Sequence, residues 1–377
     1  MLIIFWICAL LVLYVYLGYP ALLVTGLLGS RRTTHQAPIQ PFVSVLIPAH
    51  NEEKGIHAKL LNVLAQTYPM ENVEILVGND GSQDATADIV TAMAPFGVVL
   101  VNADRPVGKS AIQNRLVARA RGEILVFTDA DCFVPSDALL TLVRHFADPE
   151  VGLVTNCVTV TNPKETSVVE SEGLYWRYER WLRNEESGRG LLAMASGSLF
   201  AMRRELWSPL DPDVGDDFVL PLRVARAGFR NVLETRISAE TVLSQNDPRS
   251  MFRMKMRIIS KDLRGLLRNA ACMNPIAVGP VAIGLLSHKL LRWMIPYFLI
   301  GLVLSNLFLA TNTFYRFALA AQIAFYAVSV LALLLNGKRL RFPLSAAASF
   351  CLVNLAALLG TIHCLTFQSA GHWKPVR

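Results

Sequence analysis

The first 28 residues, Met1 to Leu28, contain no charged side chain. A run of about 20 apolar residues is enough to cross a bilayer, so this end of the chain belongs in lipid. A cleaved signal peptide would carry a basic start, a shorter apolar core and a small-residue cleavage site. Here the first basic residues, Arg31 and Arg32, follow the apolar run. The sequence therefore predicts an anchor with its amino terminus outside and the next domain in the cytoplasm, by the excess of basic residues on the inner side. Three further spans are expected near Met294–Leu309, Phe317–Leu335 and Leu344–Phe367, with Lys338, Arg339 and Arg341 between the last two. Pro275–Leu286 reads either as one more span or as an interfacial segment. Arg253–Arg268 interleaves basic residues with Met and Leu, a pattern suited to an anionic membrane face. The tail His372–Arg377 falls outside by this topology, although Lys374 and Arg377 favour the other side.

The rest of the chain cannot be lipid-bound. Only 17% of residues are charged against 53% hydrophobic, where a soluble domain carries about 25% charged. Yet 36 basic and 29 acidic residues are far too many for a simple membrane bundle. Disorder, collagen-like repeats and a disulfide scaffold are excluded by the same composition. The formal charge of +7 does not indicate nucleic acid, because the basic residues border the expected spans. Cys8, Cys132, Cys157, Cys272, Cys351 and Cys364 form no CxxC, and each reads as a small buried thiol. The expected division is an anchor over 1–30, a cytoplasmic domain over 40–250, basic interfacial helices over 251–292, spans over 293–367 and a basic tail over 368–377.

In the middle, apolar runs at 42–47, 73–78, 97–102 and 123–128 alternate with helical stretches near Glu52–Gln66, Ala85–Met93 and Ser110–Arg121. Such alternation predicts an α/β fold whose parallel strands are covered on both faces. Ligands of these sheets sit at the carboxyl ends of the strands. Those ends read Pro48-Ala49-His50-Asn51-Glu52, Asn79-Asp80-Gly81-Ser82 and Asp129-Ala130-Asp131. No GxGxxG follows the first strand and no GxxxxGK[ST] occurs, which removes the main support for dinucleotide and P-loop phosphate binding. Asp129 and Asp131, two apart at a strand end, suit a hard cation such as Mg²⁺ or Mn²⁺ shared with substrate phosphates. A turn ahead of Pro135 would explain them without a metal. Asp80 could shape an AspGly turn, and Asp216-Asp217 could cap the apolar helix that follows.

Taken together, VSVLIPAHNEE (43–53), VGNDGSQDAT (77–86), GKSAIQN (108–114), GEILVFTDADCF (122–133), ASGSLFAMRR (195–204), DDFVLPLRVARAGFR (216–230) and SHKLLRW (287–293) resemble the membrane-bound family 2 glycosyltransferases related to cellulose and hyaluronan synthases. The resemblance covers about residues 42–300. It implies a GT-A fold, a Rossmann-like mixed sheet with transmembrane helices at both ends, and inverting transfer from a nucleotide sugar, most often a UDP-sugar. It also implies that Asp80 contacts the base, with Ala49 and Glu52 beneath it and Lys109 closing that side. Asp129 and Asp131 match the DXD motif, Asp131 as the direct ligand of Mg²⁺ or Mn²⁺ and Asp129 nearer the ribose and metal shell. Asp217 matches the catalytic base, with Asp216 in place of the usual glutamate.

The chemistry suits those roles. A divalent cation stabilises charge on a diphosphate leaving group, and a carboxylate takes the proton of an acceptor hydroxyl. Ser196-Gly197-Ser198 would let backbone approach a sugar. Tyr175, Trp176, Tyr178 and Trp181 read as a helix packing face more readily than as a stacking platform. One departure concerns processivity. Synthases of this group carry Q(Q/R)xRW after the base, whereas this chain has Gln245-Asn246-Asp247-Pro248-Arg249 and then Arg253-Met254-Lys255-Met256-Arg257, without the tryptophan. Arg253 and Arg257 would supply cations to a diphosphate or to lipid headgroups. Addition of one or a few sugars to a glycan or lipid-linked acceptor at the plasma or inner membrane is thus expected alongside processive export. A nucleotidyltransferase and an inactive scaffold are the alternatives from other classes.

Overall fold

A computed structural model describes residues 1–160, 167–241, 248–334 and 344–366. The four apolar runs form β1 (Val43–Ala49), β2 (Val73–Asp80), β3 (Val98–Ala103) and β4 (Ile124–Thr128). They pair in parallel in the order β3-β2-β1-β4. Every residue of β1 is buried, which is why the strand shows no alternation: both faces are covered.

Beyond β4 the sense reverses. β7 (Leu199–Arg203) runs antiparallel to β4, and β6 (Val151–Val160) antiparallel to β7. β8 (Arg230–Thr241) is parallel to β6, and the short β5 (Cys132–Phe133) closes the edge antiparallel to β8. The parallel pairing expected of the first four strands is present, and the eight-stranded sheet as a whole is mixed, as the resemblance implied. Cores form on both faces. One gathers Val45, Ile47, Ile56, Leu60 and Leu142. The other runs from Leu46, Phe127 and Phe200 through Phe218 to Leu263 and Trp293, so a single apolar body links the sheet to the foot of the second span.

Four described helices are long and apolar enough to cross a bilayer: Leu2–Val24, Val281–Leu309, Thr313–Leu334 and Leu344–Thr366. Pro275–Leu286 is not one continuous segment. It splits into a short helix, Pro275–Val278, a turn at Gly279 with φ +61°, and the first residues of the second span. The basic residues at 338–341 and the tail 372–377 lie outside the described residues. All six cysteines are free, four of them buried and Cys351 and Cys364 half-buried.

A buried polar junction joins the first two spans to the domain. Glu179 and Glu186, on the helix Ser167–Gly188, are both buried. Tyr19 donates to Glu186 (2.8 Å), His288 lies between Glu186 (2.8 Å) and Glu179 (3.1 Å), and Arg292 donates to Glu179 (2.9 Å). Burial alone would favour the protonated acid, but His288, Lys289 and Arg292 hold Glu179 well below the usual carboxylate range. Much of the SHKLLRW segment is explained by this junction. Tyr178 and Trp181 pack against the Tyr19–Leu23–Leu182–Leu191 cluster, which makes them a packing face. The side chains of Tyr175 and Trp176 are outside the described residues.

The helix Pro248–Arg268 lies between the last span and the sheet. A Cβ on Gly360 of that span would sit 2.9 Å from the Met256 carbonyl, and Ser260 meets His363 at 3.2 Å. Arg264 and Arg268 instead reach Asp213, in the loop before Asp216.

Candidate active site

Three loops at the carboxyl edge of β1, β2 and β4 converge with the start of the helix Asp216–Arg226. The β1 and β2 loops lock together first. Asn51, at φ +55°, donates its amide to Ser82 and accepts from the Gln83 amide, while the Glu52 amide donates to Thr86. Ala49 is fully buried at the end of β1, and Glu52 is half-buried beside it.

Asp80 is also fully buried. Its carboxylate accepts from the amides of Val107 (2.6 Å) and Gly108 (3.0 Å), so it anchors the loop leading to Lys109. Gly81 makes that approach possible: at φ +61°, a Cβ there would lie 2.6 Å from the Arg105 carbonyl carbon. Gly108, at φ +94°, then opens the helix Lys109–Arg119.

That helix carries Lys109 into the centre of the site and holds the opposite wall. Ser110 donates to the Val214 carbonyl, Asn114 exchanges two hydrogen bonds with Leu210, and Gln113 donates to Asp216 at 2.7 Å. Lys109 donates to Asp129 (2.8 Å) and pairs with Asp216 (3.5 Å). Burial opposes its charge, but Asp129, Asp216 and Asp217 more than compensate and raise its pKa. Lys109 is therefore a fixed cation among acids that lie up to about a hundred residues away in sequence.

The DAD residues part company. Asp129 is half-buried, its pKa raised by burial and by the charge of Asp131 against the pull of Lys109. Asp131 is exposed, and among the described residues no hydrogen bond or ion pair is recorded on it. Beneath them Lys59, completely buried, donates to Thr128 (2.8 Å) and to the Cys132 carbonyl, clasping both ends of the turn. Oxygen-only donors suit a hard divalent cation. Among the described residues no three His, Cys, Asp or Glu side chains cluster closely enough to hold a metal. Asp131 and Asp129 fit Mg²⁺ or Mn²⁺ only where substrate phosphate and water supply the remaining ligands.

Asp216 and Asp217 open their helix without capping it; Gly215 is the N-cap and no side-chain cap bond forms. Asp216 is spent on Gln113 and Lys109. Asp217 is half-buried, and its carbonyl accepts from Ala195 (2.7 Å), fixing the residue beside the 195–198 loop. A Cβ on Gly197 would lie 3.1 Å from one Asp217 carboxylate oxygen. Burial, then the charge of Asp216, pushes the Asp217 carboxyl up to about 6 despite Lys109. A carboxylate so placed is a base strong enough to take a proton near neutral pH. Because the missing Gly197 side chain leaves the Asp217 carboxylate its room, Gly197→Ala is expected to lower kcat by roughly 10–100-fold with little change in thermal midpoint. Steady-state kinetics beside a melting curve check this.

Arg253 is exposed and Arg257 half-buried on the helix Pro248–Arg268. Burial lowers the pKa of Arg257, as it does for Lys261 one turn on, which lies within reach of the Asp216 and Asp217 charges. Gln245–Asp247 fall outside the described residues. Sequence reasoning passed over Lys59, Gln113, Lys261 and Asp262. Lys59 had a signal, since it occupies a core position in the Ile56, Lys59, Leu60, Val63 repeat.

Residues 44–208 match the family model described as Glycosyl transferase family 2. The beta-monoglucosyldiacylglycerol synthase of Nostoc sp. is 30% identical over 187 residues, covering 48% of this chain and 40% of that protein. The probable glycosyltransferase YdaM of Bacillus subtilis is 31% identical over 202 residues, covering 50% and 48%. The chain thus spans less than half the length of these relatives. Among solved structures, the mannosyltransferase PcManGT from Pyrobaculum calidifontis, in complex with GDP-Man and Mn²⁺, superposes with a TM-score of 0.74 at 23% identity. That match covers 96% of this chain and 99% of the other, and it establishes the shared fold.

Proposed function

We propose, for a chain whose residues 44–208 are a family 2 glycosyltransferase domain, that it transfers a sugar with inversion from a nucleoside diphosphate donor to an acceptor held at the bilayer. The observation that carries this is the convergence of Asp129, Lys109, Asp216 and Asp217 in one cleft, with an ionisable base on one side and a pair of metal-suited carboxylates on the other. In this reading Asp131 and Asp129 would hold Mg²⁺ or Mn²⁺, which when bound stabilises charge on the departing diphosphate. Lys109 keeps Asp129 in place, and Arg257 and Lys261 add positive charge on the membrane side of the cleft. Asp217 takes the proton of the acceptor hydroxyl as that oxygen attacks the anomeric carbon; the nucleoside diphosphate leaves from the opposite face. Direct displacement needs one base and no enzyme nucleophile, which fits a site without a Ser–His or Cys–His pair.

A UDP-sugar is the first donor to test on the family resemblance, and a GDP-sugar the second, because the structural neighbour holds GDP-Man. The acceptor is a glycan or a lipid-linked sugar or lipid: the cleft lies against a helix that packs on the last span, and one relative is named for a glucosylated diacylglycerol. Arg31 and Arg32 after the first span support a cytoplasmic domain on a multi-pass protein of the plasma or inner membrane.

The pH profile tests the base. Asp217 must be ionised to accept a proton, and its carboxyl is raised to about 6. As pH falls through that value kcat/KM should drop about tenfold per unit, where a carboxylate at its ordinary value would hold activity about two units lower. A flat profile from pH 7 to pH 4.5 would remove Asp217 from this role.

A further inference from the structure

The helix Pro248–Arg268 brings a second carboxyl group to the base. Asp262 is buried, 7% exposed, and stands more than forty residues beyond Asp217 in sequence. The two meet at Gly215. A Cβ built on that glycine would lie 3.0 Å from a carboxylate oxygen of Asp217 and 3.0 Å from one of Asp262. The two oxygens are therefore separated by at most twice that distance. Gly215 itself has an ordinary extended conformation, φ −81° and ψ 126°, so the absent side chain provides space here and not backbone freedom.

We propose that Asp262 is a positioning residue for Asp217: the two carboxyl groups ionise one after the other as a coupled pair, which leaves one negative charge at the acceptor side of the cleft and fixes the base. This rests on Asp217 being the base, as argued above. Two carboxylates this close, one half-buried and one buried, cannot both ionise cheaply. The charged groups facing Asp262 are Asp216 and Asp217 on their helix, Lys261 on its own helix, and Lys289 at the start of the second span. His363 of the last span meets the same helix at Ser260. Burial, then the charge of Asp217, drives the Asp262 carboxyl well above the usual range, with Lys289 and Lys261 opposing. Asp217, at about 6, ionises first, and Asp262 keeps its proton to higher pH. Lys289 also pairs with Glu179 at 3.5 Å, so one cation acts on both Asp262 and the junction that holds the spans.

Loss of the second proton would put an extra negative charge beside the diphosphate. The wild-type kcat/KM for donor should therefore fall on the alkaline side by about tenfold per pH unit, mainly through KM. Asp262→Asn cannot ionise, so its alkaline limb should vanish while the acid limb remains. An alkaline limb unchanged in Asp262→Asn overturns the proposal. Infrared difference spectroscopy of the unmodified protein, without donor, reads the retained proton independently of turnover and of whether the variant folds. A protonated-carboxyl band that persists above pH 6 and disappears on further alkalinisation is expected; its absence would contradict a coupled pair. Because that band does not depend on catalysis, a failure of Asp217 as base would be distinguished from a failure of the pair.

Discussion

Asp217→Asn is expected to lose turnover by roughly 10²–10⁴-fold, the scale of a removed general base, while donor affinity holds. Asparagine has the shape of aspartate and preserves the backbone bond from Ala195 to the Asp217 carbonyl, but cannot accept a proton from the acceptor. Structural damage is not the expected cause of the loss. The Asp217 carboxyl is raised to about 6, so above that pH its ionisation works against the folded state: the unfolded chain, with an ordinary carboxyl, ionises more easily. A neutral side chain removes a charge that burial and Asp216 disfavour, and the thermal midpoint should stay level or rise. Paired measurements of nucleotide release and melting temperature check both halves. Wild-type turnover in the variant would exclude Asp217 as the base.

Asp131→Ala should abolish the dependence of donor binding on Mn²⁺. Asp131 is exposed at the turn after β4, while its neighbour Asp129 is already engaged by Lys109, so the protein has little to replace it with. Even outer partners of metal ligands are worth about 10–100-fold in metal affinity, and removal of a direct carboxylate should cost at least about that much. Calorimetric titration of UDP and GDP with and without Mn²⁺ gives the comparison. The same Mn²⁺ enhancement in Asp131→Ala and wild type would end the metal assignment. Asp129→Ala is a less clean variant because it also releases Lys109 and changes the balance around Asp216 and Asp217.

The parallel half of the sheet was legible because β1 to β4 are mostly apolar runs and the first three each lead into a helix. The antiparallel half was not. β8 begins Arg230-Asn231-Val232-Leu233-Glu234, and two of its polar side chains are buried through long-range partners: Asn231 bonds to the Leu192 and Pro221 carbonyls, and Glu234 to His145. No local pattern announces such a strand. Asp129 stood out because it follows the strongly apolar β4, whereas Lys109 and Asp217, which open helices, were assigned to the site only through the family resemblance. Asp262 was hidden for the opposite reason. It sits in a basic, Met- and Leu-rich stretch whose composition suits a lipid surface, and only packing shows that Arg264 and Arg268 turn toward Asp213 while Asp262 turns toward Gly215 and Asp217. The division within Pro275–Leu286 was hidden for a third reason. Average hydropathy cannot see a break at Gly279, where positive φ separates a short helix from the span that follows.

The central claim is that this cleft breaks the bond between sugar and nucleoside diphosphate with the help of Asp217. Phosphorus-31 NMR of the protein in lipid bilayers, incubated with Mn²⁺ and a panel of UDP- and GDP-sugars, tests it most directly. A free nucleoside diphosphate should accumulate from at least one donor, and Asp217→Asn should suppress it. Release of pyrophosphate, or nucleoside diphosphate release that persists undiminished in Asp217→Asn, would contradict the account.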